Sequence, residues 1–269
     1  MKRTWECPQT CNFLFHTEMQ KTLLQHLANF GLAVSFSSRI PIPHLERAEI
    51  GKAFAWLPLA GAVLALFALL PVFLPVGNTW LLAWLYVAIM AWLTRGLHWD
   101  GLADVADGLA SNKNGASFWK VVKDSKLGAL GALCIIIVAA GYIISIQSLL
   151  ETAACVKVCF ALPWAAGLGR TFALLLPSLA QVNPKAGLGQ SMQEAEPFFA
   201  AVTWLGLLTL SGIFFLGFLT AILALGSGLL LTWRLAGKAE QMGGFNGDFL
   251  GAAIALAELA ALTAAALTA

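Results

Sequence analysis

The chain has five aspartates: Asp100, Asp104, Asp107 and Asp124 within residues 95–126, and Asp248 within 234–248. Three of them share the stretch His98-Trp99-Asp100-Gly101-Leu102-Ala103-Asp104-Val105-Ala106-Asp107-Gly108. At about 100° per residue, helical positions i, i+4 and i+7 lie within about 60° of arc, so a helix here puts three carboxylates on one face. Like charges that close repel, and a proton or a cation must neutralise part of the cluster. Oxygen donors without thiols or clustered imidazoles suit a hard cation, Mg²⁺ or in its place Mn²⁺. Mg²⁺ keeps waters and bridges carboxylates to substrate phosphates, which points to phosphoryl or nucleotidyl chemistry. The competing reading, a solvated helix start with an Asp cap, needs one Asp and leaves two unexplained.

Basic residues surround this cluster. Lys120, Lys123 and Lys126 flank Asp124, which suits a further metal ligand with Lys123 or Lys126 on phosphate oxygens; a basic flank beside a membrane span explains part of the same pattern. Arg170 follows Gly167-Leu168-Gly169 inside an apolar stretch, where an Arg either snorkels or meets a phosphate or an Asp. Glycines at Gly243, Gly244 and Gly247 before Asp248 suit an anion-binding turn or a plain capped loop. His98 could bond a phosphate, act as a base or be structural, and Glu258, in mid-span, calls for a polar partner in the bundle.

What positions these residues must be a membrane bundle. Hydrophobic residues make up 59% of the 269, only 11% are charged, and mean hydropathy is +0.79. Soluble domains carry roughly a quarter charged residues. Residues 53–94, 127–150 and 197–233 contain no charge at all. About 20 apolar residues span a bilayer as a helix. The expectation is an all-α, polytopic integral membrane bundle of six or seven transmembrane helices, with the active site at the cytoplasmic face. Two spans lie in 53–94 around a turn at 75–78, one in 127–150, one in 158–179, a tight pair or hairpin in 197–233, and the last in 249–269. With the N-terminus cytoplasmic, fourteen of sixteen Lys and Arg fall inside. All five aspartates fall on that side too, although they played no part in assigning it. Residues 27–43 are too short to span and read as an interfacial or a re-entrant segment. A net charge of +2 gives no argument for nucleic acid, and no His completes a zinc pattern with Cys7, Cys11, Cys155 and Cys159. The first residues lack the form of a cleaved leader, so the first span is expected to act as an uncleaved signal.

Several motifs, in order, resemble the adenosylcobinamide-GDP ribazoletransferase (cobalamin 5′-phosphate synthase) family. They are Arg39-Ile40-Pro41-Ile42-Pro43, the Asp block at 98–108, Asp124-Ser125-Lys126-Leu127-Gly128, Gly169-Arg170 and Gly247-Asp248-x-x-Gly251-Ala252. Phe245 and Asn246 stand where the family has Gln and Thr. The resemblance covers about 23–269 as one transmembrane catalytic domain and leaves 1–22 as an N-terminal extension. It implies a bacterial inner-membrane, Mg²⁺-dependent enzyme that joins adenosylcobinamide-GDP to α-ribazole or its 5′-phosphate and releases GMP. It admits a homo-oligomer or association with other B12-assembly enzymes. The sites it implies are Asp100, Asp104 and His98 for catalysis, and Asp100, Asp104, Asp107 and Asp124 for metal. Arg39, Lys123, Lys126, Arg170 and Asp248 are assigned to substrate. Two other classes compete. A CDP-alcohol phosphotransferase shares Asp104-x-x-Asp107-Gly108 but would need Ala-Arg where Ser111 and Asn112 stand, and a cation-coupled transporter would place its acids at the bilayer midplane.

Overall fold

Apolar runs in a membrane protein fold as helices because lipid offers the backbone no hydrogen-bond partners. The computed structural model describes residues 9–43, 48–184 and 187–269, and of 9–20 and 188 the backbone alone. Lys2, Arg3, Cys7, Arg47 and Lys185, on which the sidedness and cysteine readings drew, lie outside the described residues. Among the described residues the chain is helical throughout, with one isolated β-bridge between Val182 and Phe245. The helices are α1 (Gln9–Ser37), α2 (Ile50–Phe54), α3 (Leu57–Ala68, continued by a 3-10 turn at Leu70–Phe73), α4 (Thr79–Leu93), α5 (Leu97–Ala110) and α6 (Gly115–Val122). They continue as α7 (Ala129–Thr152), α8 (Cys155–Leu179), α9 (Gly187–Glu194), α10 (Phe198–Phe215), α11 (Phe218–Gln241) and α12 (Gly247–Leu267).

Among the described residues five helices, α7, α8, α10, α11 and α12, are long and apolar enough to cross a bilayer. A sixth crossing exists if α4 and α5, bent by 87° against each other, count as one broken span. The expected six to seven spans therefore become five or six. The difference lies in 53–94, where Pro71 and the turn at 75–78 cut the apolar run into short helices. The α4–α5 bend uses two left-handed residues, Arg95 (φ 59°) and Gly96 (φ 67°). The run 197–233 resolves as two helices broken at Gly217, whose φ of 106° excludes ordinary side chains. Of residues 27–43, expected as an interfacial or a re-entrant segment, 27–37 are helical and 38–43 are not. The helical part belongs to α1, which runs through residues 22 and 23 without interruption and buries Ala33, Val34 and Ser37 where it packs on α3.

α8 is the central helix, packed against α3, α10, α11 and α12 and buried over most of its length. α12, rich in alanine, packs against α5, α7, α8 and α11. Small side chains allow such close approach where no hydrophobic force drives helices together in lipid. Large apolar side chains such as Ile136, Leu210, Phe214, Phe218 and Trp233 point outward, as a lipid-facing surface requires.

The two ends of the bundle differ. At one end Arg39 N donates to Leu93 O, Trp204 Nε1 to Ala55 O and Trp119 Nε1 to Met242 O, which gathers α6, the start of α10 and the connections after α1, α2, α4 and α11. Lys52, Arg95, Lys113, Lys120, Lys123 and Lys126 belong to these elements or to the segments that flank α6. At the other end Thr79 Oγ1 donates to Glu151 and Thr220 meets Thr268. Among the described residues only Lys157 brings a basic side chain there.

Candidate active site

The basic end is also the acidic one. Gly101 of α5 lies so close to α12 that a Cβ there would come within 2.8 Å of the backbone of Asp248. This contact brings Asp100 and Asp248, 148 positions apart, to a common rim. Asn246 starts α12: its Oδ1 accepts the N–H groups of Asp248 (3.1 Å) and Phe249 (3.2 Å), and its amide donates to Asp248 Oδ2 at 2.6 Å. The residue that departs from the family pattern therefore caps the helix and steers Asp248. Phe245, the other departure, is fully buried, and its backbone pairs with Gln181 and Asn183.

α5 is helical over the whole acidic block, as its spacing predicted. Asp104, half-buried, lies in the field of Asp100, Asp248 and Asp107, strongest first; Asp124 is not among the charges acting on it. Lys123 acts on Asp248 and is the basic counterweight in this group. Asp107 points into the start of α7, where its two oxygens accept the N–H groups of Gly128 and Gly131, each at 2.7 Å. It thereby caps α7 from a neighbouring helix and meets the positive end of its dipole. Asp124 is exposed and accepts the N–H of Lys126 at 3.1 Å; the side chains of Lys123 and Lys126 are also exposed.

Among the described residues no three His, Cys, Asp or Glu side chains stand close enough together to hold a metal ion. The donor chemistry nonetheless fits a hard cation. Asp100, Asp104 and Asp248 offer carboxylate oxygens without thiols, and their mutual repulsion favours whatever positive charge enters between them.

Behind Asp100 and Asp248 lies a cavity of about 210 Å³, walled by Phe36, Phe54, Leu57, Met192 and Ile254 and reached by His98 and Arg170. Arg170 is 1% exposed. Its Nη1 donates to Glu258 Oε2 at 3.2 Å and to Ala166 O at 2.8 Å. Its ion partner within the bundle is thus Glu258 of α12, and not an aspartate. Nε and Nη2 have no partner, nor has the hydroxyl of Tyr86. A second cavity of about 20 Å³, enough for one water molecule, touches Tyr86, His98, Tyr142, Arg170 and Glu258. Leaving a buried donor unmet costs about 1–3 kcal/mol, more for a charged group, so the free side of Arg170 calls for a water in the small cavity or a ligand in the larger one.

His98 is buried and lines both cavities. Arg39 keeps company with α4: its Nε donates to Trp92 O at 2.8 Å and its guanidinium lies 5.8 Å from the Trp92 ring centre. Sequence reasoning missed Gly61 and Tyr86 and left Glu258 without a partner. A signal did exist, since Arg170 and Glu258 are the opposite charges set deepest in the apolar spans.

Fold and site together define a polytopic, all-helical membrane protein in which clustered aspartates and a buried arginine share one cavity. The chain belongs to the cobalamin-5-phosphate synthase family, whose model matches residues 29–266. An adenosylcobinamide-GDP ribazoletransferase of Nitratidesulfovibrio vulgaris (strain DSM 19637 / Miyazaki F) is 33% identical over 236 residues, covering 86% of this chain and 92% of its own. One from strain DP4 is 33% identical over 252 residues, 91% and 98% of the two chains. That of Thiobacillus denitrificans is 33% identical over 238 residues, 86% and 92%. No solved structure matches the chain. Family membership sets aside the phospholipid-synthesising and transporter classes.

Proposed function

We propose that the chain joins adenosylcobinamide-GDP to α-ribazole or its 5′-phosphate, giving adenosylcobalamin or its 5′-phosphate and releasing GMP. Family membership and the names of its relatives support the reaction. The structural observation that carries it is the packing of Asp248 against α5, which assembles carboxylates at the mouth of a cavity backed by Arg170.

Mg²⁺, or Mn²⁺ in its place, would be held by Asp100 and Asp104, while Asp107, whose oxygens cap α7, and Asp124, which is exposed beside Lys126, would stand apart from it. Bound there it would neutralise diphosphate oxygens and the departing GMP. Arg170, Lys123 and Lys126 would take the remaining phosphate charge, and Arg39 and Asp248 would hold other parts of the substrate. A ribazole hydroxyl attacks the phosphorus that carries cobinamide, in line with the bond to GMP. That P–O bond breaks, its electron pair leaves on the GMP phosphate, and the hydroxyl proton passes to Asp100, Asp104 or His98. The mouth would face the cytoplasm of a bacterial inner membrane, with the N-terminus on the same side.

The test is GMP release by the purified protein from adenosylcobinamide-GDP and α-ribazole. Mg²⁺-dependent GMP together with a new corrinoid, both lost in EDTA, is the expected result. No GMP from either ribazole substrate overturns the proposal.

A further inference from the structure

The guanidinium of Arg170 is held on two sides, and two of its nitrogens are left without a partner. Glu258 takes Nη1, and the backbone carbonyl of Ala166 shares it. On another side Gly61 of α3 leaves no room, since a Cβ at that position would collide with the Cδ, Nε and Cζ atoms of Arg170. Nε and Nη2 remain unpartnered although the side chain is buried, and the residue lines the cavity that Asp100 and Asp248 overlook. An arginine fork binds two oxygens of one phosphoryl group when its orientation is fixed.

We infer that the 210 Å³ cavity holds a buried seat for a phosphoryl oxyanion, in which Arg170 offers Nε and Nη2 while Glu258 and Gly61 act as its positioning residues. This rests on the reading that the substrate carries a diphosphate. Glu258 does not touch the ligand: it anchors the far side of the fork and balances its charge within the bundle. Gly61 acts by lacking a side chain, which leaves the space that Cδ, Nε and Cζ of Arg170 occupy. The carboxylates at the rim repel a bare anion, so the ligand of the seat is a phosphoryl group arriving with a divalent cation.

The full-length protein, titrated with inorganic pyrophosphate in Mg²⁺, tests the seat without requiring turnover. Gly61→Ala and Glu258→Ala should each raise the Kd at least tenfold. Glu258→Gln, which keeps the hydrogen-bond acceptor, should stay within threefold of the parent. In an Arg170→Gln background, Gly61→Ala and Glu258→Ala should have no further effect. Gly61→Ala changes no charge and decides the matter if Glu258→Ala yields no folded protein. Unchanged affinity in both variants, equal losses with and without Arg170, or a Gln variant as weak as the Ala variant overturns the inference. Failure of the proposed reaction reads differently: the parent protein then releases no GMP, whatever its affinity for pyrophosphate.

Discussion

Two charged groups meet where α12 packs on its neighbours, one at the mouth of the bundle and one at depth. At the mouth Asp100, Asp104, Asp107 and Asp248 have the same sign, are half-buried or exposed, and have Lys123 as counterweight. At depth Arg170 and Glu258 have opposite signs, and their side chains are only 1% and 6% exposed. The deep pair balances its own charge, although Nε and Nη2 of Arg170 stay unpartnered. The mouth is electrostatically incomplete, and that incompleteness is what a cation and a polyphosphate would complete. Charge kept against repulsion at a solvent-open rim marks chemistry better than a buried ion pair does.

The comparison breaks first at the mouth. Asp100→Asn and Asp104→Asn should each cut GMP release about 10⁴-fold, equivalent to about 5.4 kcal/mol at roughly 1.36 kcal/mol per tenfold. The melting temperature without Mg²⁺ should hold or rise, because each change relieves repulsion. A variant that melts early yet keeps turning over would assign the cluster to structure instead. At depth the pattern inverts. Arg170→Met or Glu258→Leu alone should cost about 3–5 kcal/mol of stability by leaving one buried charge uncompensated, and the double variant should regain most of that in denaturant melts. Equal losses in single and double variants would mean that the pair acts through packing and not through charge. Gly101→Ala comes next: a Cβ there forces α5 away from Asp248, and displacing the rim by about 1 Å should lower turnover about a hundredfold. Unchanged kinetics in that variant would separate Asp248 from the site.

The acidic helix was legible because its three aspartates recur at helical spacing within an apolar background. The hairpin at Gly217 was legible for a similar reason, since 37 uncharged residues are too many for one crossing. The short helices in 53–94 were not, because total hydropathy does not say where Pro71 and a turn will divide a run. The pairing of Arg170 with Glu258 is a contact between α8 and α12, 88 positions apart, and no local period encodes it. Gly61 was silent for the same reason: its function is the space it leaves for a side chain more than a hundred residues away.

Asp107 gives the smallest effect and the finest discrimination within the acidic block. It shares a helix face with Asp100 and Asp104, but its oxygens accept the N–H groups of Gly128 and Gly131 at the start of α7. Asp107→Asn keeps one acceptor and loses the charge facing the helix dipole. The expected cost is about 1 kcal/mol of stability, in the range of a lost cap or dipole partner. Turnover should fall much less than in the Asp100 and Asp104 variants, with the Mg²⁺ concentration needed for half-maximal rate nearly unchanged. If that concentration instead rises tenfold while stability holds, Asp107 ligates the metal through lone pairs that α7 leaves free. The α5 face would then act as one three-carboxylate site, and the division drawn between capping and catalytic aspartates would move by one residue.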